Sequence, residues 1–140
     1  MKLVLAATVL AMAFGATAAS AADTAILDRH VANMKSGNVD GILADYASDA
    51  VIVHPAGLIS PTGVFIGKDA RKLFSVLAAP KNLPANKTMQ VKYEDAGPGV
   101  TKMDWVQNKG GKDELSGYDI FVVRGGKIAF QSVTIFPAKK

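Results

Sequence analysis

One stretch of the sequence changes its hydrophobic period within a single segment: residues 37–55, GNVDGILADYASDAVIVHP. Its apolar side chains first recur at helical spacing, at Val39, Ile42, Leu43 and Tyr46. Asn38, just before them, is a residue type that caps helices. From Ala50 the pattern changes to a β-branched run, AVIVH, which stops at Pro55. Such a run is typical of a short strand, so the stretch predicts a helix followed by a strand.

Two further helices are expected around this stretch. Upstream, apolar residues and one histidine recur at helical spacing: Ile26, Leu27, His30, Val31 and Met34. Asp23 or Thr24 can cap the start of that helix, and Gly37 can end it. Downstream, residues 68–78 carry a third apolar stripe, and Pro80 and Pro84 bound a loop after it. The first half of the chain is therefore predicted to be mainly helical.

The second half of the sequence predicts an antiparallel meander. Its strands are expected at four places: 87–95, 100–107, 114–124 and 127–136. Gly125-Gly126 joins the last two, and paired glycines supply the positive φ angles of a tight hairpin. Helices followed by a meander indicate the α+β class. We expect an antiparallel meander that is covered on one face by three helices from the N-terminal half.

Residues 1–21 have the three parts of a secretory signal peptide. Lys2 is the basic region, residues 3–14 are apolar, and Ala19-Ser20-Ala21 is a small-x-small cleavage site. The apolar run is shorter than the roughly 20 residues that span a bilayer, so no stable membrane insertion is expected. The sequence predicts a periplasmic or secreted protein with one domain at 22–140.

The overall composition excludes several classes of protein. The chain has no cysteine, which excludes disulfides, thiol catalysis and iron–sulfur clusters. It has 16 Lys and Arg against 12 Asp and Glu, and the basic residues are scattered. Nucleic-acid binding usually requires a clustered basic face, so no nucleic-acid partner is expected. No phosphate-binding glycine loop and no Gly-x-Ser-x-Gly motif occurs.

Both histidines are candidates for chemistry. His30 falls on the apolar stripe of the first predicted helix, and His54 ends a strand beside a loop, where pockets often open. An imidazole with a pKa of about 6.5 suits proton transfer at neutral pH. Each residue also has a structural interpretation: His30 as a core residue, and His54 as a partner of a loop carbonyl. Two His and one Asp could bind a metal, but the close HxH or HxxxH spacing is missing, so neither metal nor cofactor is predicted.

Three motifs in order resemble the SnoaL-like proteins of the nuclear transport factor 2-like superfamily, which includes ketosteroid isomerases. The first is the stretch 37–55 already quoted, with its Tyr-Ala-x-Asp-Ala core. The second is FIGKDA at 65–70, and the third is YDIF at 118–121 followed by GKI at 126–128. The resemblance covers nearly all of the chain after residue 21. It implies a curved antiparallel sheet that forms a cone, with helices closing one side and a pocket inside. It also implies homodimers that form through the sheet.

The resemblance also implies positions for site residues. His54 stands where ketosteroid isomerases have the proton-shuttling Asp, and His30 stands where they have an oxyanion-binding Tyr. Asp119 matches the second oxyanion donor, with Tyr118 as the alternative if the hairpin register differs by one residue. The expected catalytic residues are His54, His30 and Asp119. The expected ligand-binding residues share an aromatic ring: Trp105, Tyr118, Phe65 and Tyr46.

Two functions remain open from the sequence. The first is binding of a small, mostly apolar organic molecule in the cone, with isomerase- or lyase-like proton transfer. The second is a non-catalytic ligand-binding or dimeric interaction domain, because one fold serves many functions.

Overall fold

The computed structural model describes residues 20–137. The predicted signal peptide therefore lies outside the described residues, except for Ser20 and the backbone of residue 21. The helices are α1 (Ala21–Ser36), α2 (Val39–Ala44), α3 (Ala70–Leu77) and α4 (Leu83–Lys87). The strands are β1 (Tyr46–Val53), β2 (Val64–Ile66), β3 (Gln90–Gly97), β4 (Val100–Gln107), β5 (Leu115–Arg124) and β6 (Lys127–Ile135).

The strands form one curved, unclosed sheet in the order β2-β1-β6-β5-β4-β3. All neighbouring pairs are antiparallel except β1 and β6, which run parallel. This parallel pair is a correction to the predicted antiparallel sheet. It arises because α3 and α4 carry the chain from β2 to the far edge of the sheet. The meander then returns strand by strand, and its last strand meets β1 running in the same direction.

One face of the sheet is buried, and we call it the inner face. In β5 every second residue is buried, at Gly117, Asp119, Phe121 and Val123. In β4 the buried residues are likewise alternate: Thr101, Met103 and Trp105. The apolar side chains among them join buried residues of the helices, including Leu27 and Phe74, in one hydrophobic core. The predicted α+β arrangement of helices against a meander is confirmed.

The boundary between α2 and β1 differs from the prediction. Tyr46, expected on a helical stripe, is the first residue of β1, and α2 ends at Ala44. The backbone N–H of Ile128 donates a hydrogen bond of 2.8 Å to the carbonyl of Asp45, and Arg29 forms an ion pair with the Asp45 side chain. These long-range contacts draw the chain into the sheet earlier than the local pattern indicates.

Two details of the helices also differ from the prediction. Ser20, rather than Asp23 or Thr24, caps α1, because its Oγ accepts a hydrogen bond of 3.1 Å from the N–H of Asp23. Residues 83–87 form α4, between the loop predicted at 80–84 and the strand predicted from 87, which begins only at Gln90. The helix contains Pro84, and a proline is tolerated in the first turn of a helix. Within 20–137 we find no helix that is both long enough and apolar enough to cross a membrane.

A cavity lined by two imidazoles and a carboxyl

A cavity of about 230 Å³ lies between the inner face of the sheet and the helices. We call it the imidazole cavity, because both histidines line it. Its polar lining residues are His30, His54, Asn82, Asn86, Gln107, Asp119 and Gln131. Its apolar lining residues include an aromatic pair and three methionines: Phe74, Trp105, Met34, Met89 and Met103. Three residues that are far apart in sequence, His30, His54 and Asp119, therefore share one hollow.

His30 is held in the cavity wall by aromatic rings. Its side chain is 4% exposed, and its ring contacts Tyr46, Phe74 and Phe121 edge-on at centroid distances of 5.5 to 5.8 Å. Burial lowers the pKa of His30 to about 4, although the charge of Asp45 partly opposes this. Its Nδ1 has no hydrogen-bond partner in the described part of the chain. The ring is therefore neutral at pH 7 and has unused hydrogen-bonding capacity.

His54 follows the last residue of β1 and is 5% exposed. Its backbone N–H donates a hydrogen bond of 2.7 Å to the carbonyl of Gly63. Position 63 requires glycine, because φ there is +70° and a Cβ would lie 2.0 Å from the carbonyl oxygen of His54. Burial lowers the pKa of His54, and the backbone of Pro55 partly opposes the effect. Within residues 20–137, its Nδ1 also has no partner.

Asp119 lies on the inner face of β5 and is 5% exposed. Its Oδ1 accepts a hydrogen bond of 2.9 Å from Trp105 Nε1, and its Oδ2 accepts one of 2.7 Å from Gln131 Nε2. Burial raises the pKa of Asp119 to about 6, while the two hydrogen bonds act in the opposite direction. The carboxyl can therefore gain or lose a proton near neutral pH.

The orientation of Gln131 is determined by Tyr46. The Tyr46 hydroxyl donates a hydrogen bond of 2.5 Å to Gln131 Oε1, which leaves Nε2 to donate to Asp119. Trp105 is accommodated because the residue paired with it on β5 is Gly117. A Cβ at position 117 would lie 2.7 Å from the indole ring. Tyr46, Gln131, Asp119 and Trp105 therefore form a connected network along the inner face.

Sequence reasoning missed Gln131 as a candidate site residue. Strict alternation from the buried Ile128 would place Phe130 on the inner face and Gln131 outside. A register shift occurs instead, because Val122 pairs with Phe130 while Val123 pairs with Ile128. The extra residue between them, Ala129, turns Gln131 inward. A bulge of this kind leaves no clear signal in the sequence.

Three predicted ligand-binding residues do not belong to the described lining of the cavity. Tyr118 alternates with Asp119 and lies on the opposite face of the sheet, with its ring 5.9 Å from that of Phe136. The register that brings Asp119 inward therefore excludes the alternative with Tyr118. Tyr46 and Phe65 are buried in the core beside the cavity, and Tyr46 contacts two of its lining residues, Gln131 and His30. Trp105, by contrast, lines the cavity.

Sequence reasoning also missed Asn86, a polar residue near the end of α4. Asn86 is buried and its Nδ2 donates to the carbonyls of Met34 and Leu77, at 3.3 and 3.0 Å. Its Oδ1 accepts a hydrogen bond of 2.9 Å from Gln107 Nε2. Asn86 therefore ties α4 to α1, to the end of α3 and to β4. Asn86 lies between the predicted loop at 80–84 and the predicted strand at 87–95, and nothing in the sequence pointed to this contact.

The ionisable groups that line the cavity are neutral or nearly so. Together they can donate hydrogen bonds to a ligand and accept hydrogen bonds from it. Two neutral imidazoles each offer one N–H and one lone pair, and the carboxyl can take either protonation state. In residues 20–137, no group of three or more His, Cys, Asp or Glu side chains is placed to hold a metal ion.

Comparisons with known proteins support the fold. No protein-family profile matches the chain, and no curated protein matches it. A protein of unknown function with a cystatin-like fold from Methylobium petroleophilum PM1 has a TM-score of 0.65 and 17% identity, over 89% of this chain and 82% of its own. An NTF-2 like protein of unknown function from Burkholderia xenovorans LB400 has a TM-score of 0.62 and 18% identity, over 84% and 88%.

A third solved structure, TerC co-crystallised with polyporic acid, has a TM-score of 0.57 and 17% identity, over 83% of this chain and 92% of its own. Likeness at such low identity concerns the fold alone. At that level the predicted resemblance is confirmed: the chain has the NTF2-like, cystatin-like fold.

Proposed function

We propose, from the NTF2-like fold and the imidazole cavity, that this protein binds a small, mostly apolar organic molecule and transfers a proton next to its carbonyl group. One observation carries the proposal: two buried imidazoles and one buried carboxyl line the same hollow. Ionisable groups that share a cavity and have shifted pKa values are typical of functional sites. The structural neighbour TerC, crystallised with polyporic acid, is consistent with a ligand-binding cone.

In the proposed reaction His54 is the base. Neutral His54 takes a proton from the carbon beside the carbonyl, and the electron pair of the broken C–H bond forms the enolate. The developing negative charge on oxygen is stabilised by hydrogen bonds from His30 N–H and from protonated Asp119. Return of the proton from His54 to a different carbon gives isomerisation. Expulsion of a leaving group from the enolate gives a lyase-like outcome.

The pKa directions at the site predict a bell-shaped pH profile. Activity should fall as pH rises through about 6, because Asp119 then loses the proton that it donates to the oxyanion. Activity should also fall at lower pH, once His54 becomes protonated below its lowered pKa. A profile that rises steadily above pH 7 would contradict the role of Asp119.

A second candidate function is binding without turnover. Both Asp119 oxygens already accept hydrogen bonds from Trp105 and Gln131, and this arrangement is stable without any reaction. In that case the imidazoles serve only to recognise a ligand oxygen.

Deuterium exchange separates the two functions. Carbonyl compounds that bind the protein are incubated with it in heavy water, and deuterium at the carbon beside the carbonyl is followed by NMR. We expect exchange with the wild-type protein and a loss of about 100-fold or more in His54→Asn, as is typical of a missing general base. Tyr118→Phe, on the opposite face, is the control and should exchange normally.

Two outcomes of this experiment would decide against catalysis. Equal exchange by wild-type and His54→Asn would remove His54 as the base. Binding without exchange, with a melting temperature of His54→Asn close to the wild-type value, would favour the second function.

The proposal also includes export and a homodimer. Cleavage after Ala21 would deliver the domain to the periplasm or outside the cell, and mass spectrometry of exported protein should then find an N-terminus near residue 22. This cleavage would remove the Ser20 cap of α1, and Asp23 or Thr24 could replace it. A second copy would cover the outer face of the sheet, where apolar side chains are only half-buried.

A further inference from the structure

The geometry of the imidazole cavity points to one class of ligand: an uncharged molecule of single-ring size that carries a carbonyl or hydroxyl oxygen. This inference rests on the proposed function and adds the size, the charge and the key polar group of the ligand.

The size follows from the volume of the cavity. It measures about 230 Å³, whereas a cavity of about 150 Å³ is sufficient to bind benzene. The additional space accommodates a few substituent atoms on one ring. A fused system of several rings would not fit unless the walls moved.

That the ligand is uncharged follows from the residues that line the cavity. Among the described lining residues no Lys or Arg occurs, and the ionisable side chains are His30, His54 and Asp119. Burial lowers the pKa of both imidazoles, so neither supplies a positive charge at neutral pH. A carboxylate or phosphate would be buried beside the Asp119 carboxyl without a counter-ion, which is energetically costly.

A cation is also poorly matched to the cavity. Asp119 is the one carboxyl in the described lining, and its two oxygens already accept hydrogen bonds from Trp105 and Gln131. An ammonium group only donates, so it can pair with the lone pair of a neutral imidazole but not with its N–H. It would also lose its hydration among the apolar walls.

The polar group of the ligand follows from the two imidazoles that line the cavity. His30 and His54 are 4% and 5% exposed, so bulk water has little access to their rings. A carbonyl oxygen can accept from an imidazole N–H, and a hydroxyl can both donate and accept. An oxygen of this kind can therefore pair with an imidazole of the lining, while Met34, Met103 and Phe74 contact the ring.

Three probes of nearly equal shape test the inference: acetophenone, benzoate and benzylamine, which are uncharged, anionic and cationic at pH 7.5. The full chain is labelled with ¹³C at the methionine methyl groups, since Met34, Met89 and Met103 line the cavity. We expect acetophenone to shift these three resonances and to bind at least about tenfold more tightly than either charged probe.

The possible outcomes distinguish this inference from the proposed function. Equal or tighter binding of benzoate or benzylamine at these methyl groups overturns the uncharged class, but cavity binding stands. If only larger molecules shift the methyl resonances, the single-ring size is wrong. If no organic molecule shifts them, the inference and the proposed function both fail.

Matched variants test whether acetophenone binds in the imidazole cavity. Leu115→Trp and Ala85→Trp each narrow the cavity from its lining, whereas Ala32→Trp adds the same side chain at an exposed position of α1. We expect the two lining variants to lose acetophenone binding and Ala32→Trp to retain it. Should Ala85→Trp fail to fold, Leu115→Trp, at an exposed residue, provides the same test. Wild-type affinity in the folded lining variants would overturn the inference.

Discussion

The two faces of the sheet differ in chemistry although the same strands form both. On the inner face of β5, Asp119 is buried in a hydrogen-bonded network with Trp105 and Gln131. On the outer face of the same strand, Ile120 and Val122 are only half-buried. The inner face therefore buries an ionisable group in an apolar core. The outer face is apolar on β5 at Ile120 and Val122, whereas on β3 and β4 it carries ion pairs of Lys102 with Glu94 and Asp104.

This difference between the buried polar network and the half-exposed apolar side chains indicates two different uses for the faces. Burying Asp119, His30 and His54 costs free energy and shifts their pKa values, which is typical of functional sites. Half-exposed aliphatic side chains on the outer face are typical of a surface that is covered by another protein. The outer-face apolar residues in register are Val51, Ile120, Val122 and Phe130.

The largest expected effect is the loss of Gln131. Gln131→Leu leaves a Tyr46 hydroxyl and an Asp119 oxygen without their partners inside the protein. We expect the free energy of unfolding to fall by roughly 4 kcal/mol, as measured by urea denaturation, because each buried unpaired group costs about 1–3 kcal/mol. The outer-face control on the same strand, Ser132→Val, should change it by less than about 1 kcal/mol. Similar losses in both variants would contradict the distinction between the faces.

The pH dependence of the free energy of unfolding should separate the contribution of His30 from that of Asp119. Burial lowers the pKa of His30 from 6.5 to about 4, so its stabilising contribution is present above pH 6.5 and is lost as pH falls toward 4. Burial raises the pKa of Asp119 from 3.8 to about 6, so its contribution is present below pH 3.8 and is lost as pH rises through 6. Each amounts to about 3 kcal/mol, and the two oppose each other.

Two single substitutions distinguish the opposed contributions of Asp119 and His30 to stability. Relative to wild-type, Asp119→Asn should lose stability on acidification from pH 6.5 to 4, because His30 still resists protonation. His30→Asn should instead gain stability over the same range, because Asp119 still favours its proton. Denaturation curves measured across this range would refute the scheme if the two variants changed in the same direction.

A charged substitution tests whether the outer face of the sheet is a dimer interface. If a second copy covers it, Phe130→Asp should weaken the dimer by at least about tenfold, because a carboxylate would replace a ring at the interface. Arg124→Asp, in the exposed hairpin, is the matched control and should leave association unchanged. Sedimentation of the wild-type protein as a monomer at micromolar concentration would remove the proposed homodimer.

The smallest effect is expected for Tyr46→Phe. This change removes the donor to Gln131 Oε1 but keeps the aromatic ring beside His30. Loss of one hydrogen bond should lower the free energy of unfolding by about 1 kcal/mol. Because Gln131 is then free to rotate, the NMR-measured pKa of Asp119 should rise further. An unchanged pKa would show that Gln131 does not need Tyr46 to hold its orientation.

Much of the fold could be predicted because the signals for it are local. The helical stripe of 26–34, the glycine at 37 and the paired glycines at 125 and 126 each act within one turn or one hairpin. Gly37, Gly125 and Gly126 all have positive φ, as a helix end and a tight hairpin require. His30 was expected to face inward from spacing alone, and it is buried.

The features of the fold and of the candidate site that could not be predicted depend on contacts between distant segments. The parallel pairing of β1 with β6, the start of β1 at Tyr46 and the short helix α4 are each stabilised by partners far along the chain. The choice between Asp119 and Tyr118 was open because a shift of one residue in a strand exchanges the faces. The bulge at Ala129 placed Gln131 beside Asp119 against the simple alternation.

The sequence by itself determined which residues could form helices, strands and turns, since hydrophobic period and glycine conformations are properties of neighbouring residues. Only the tertiary structure decided that His30, His54 and Asp119 share one cavity. It also decided their protonation, because the burial that shifts a pKa exists only after the sheet and the helices have packed together.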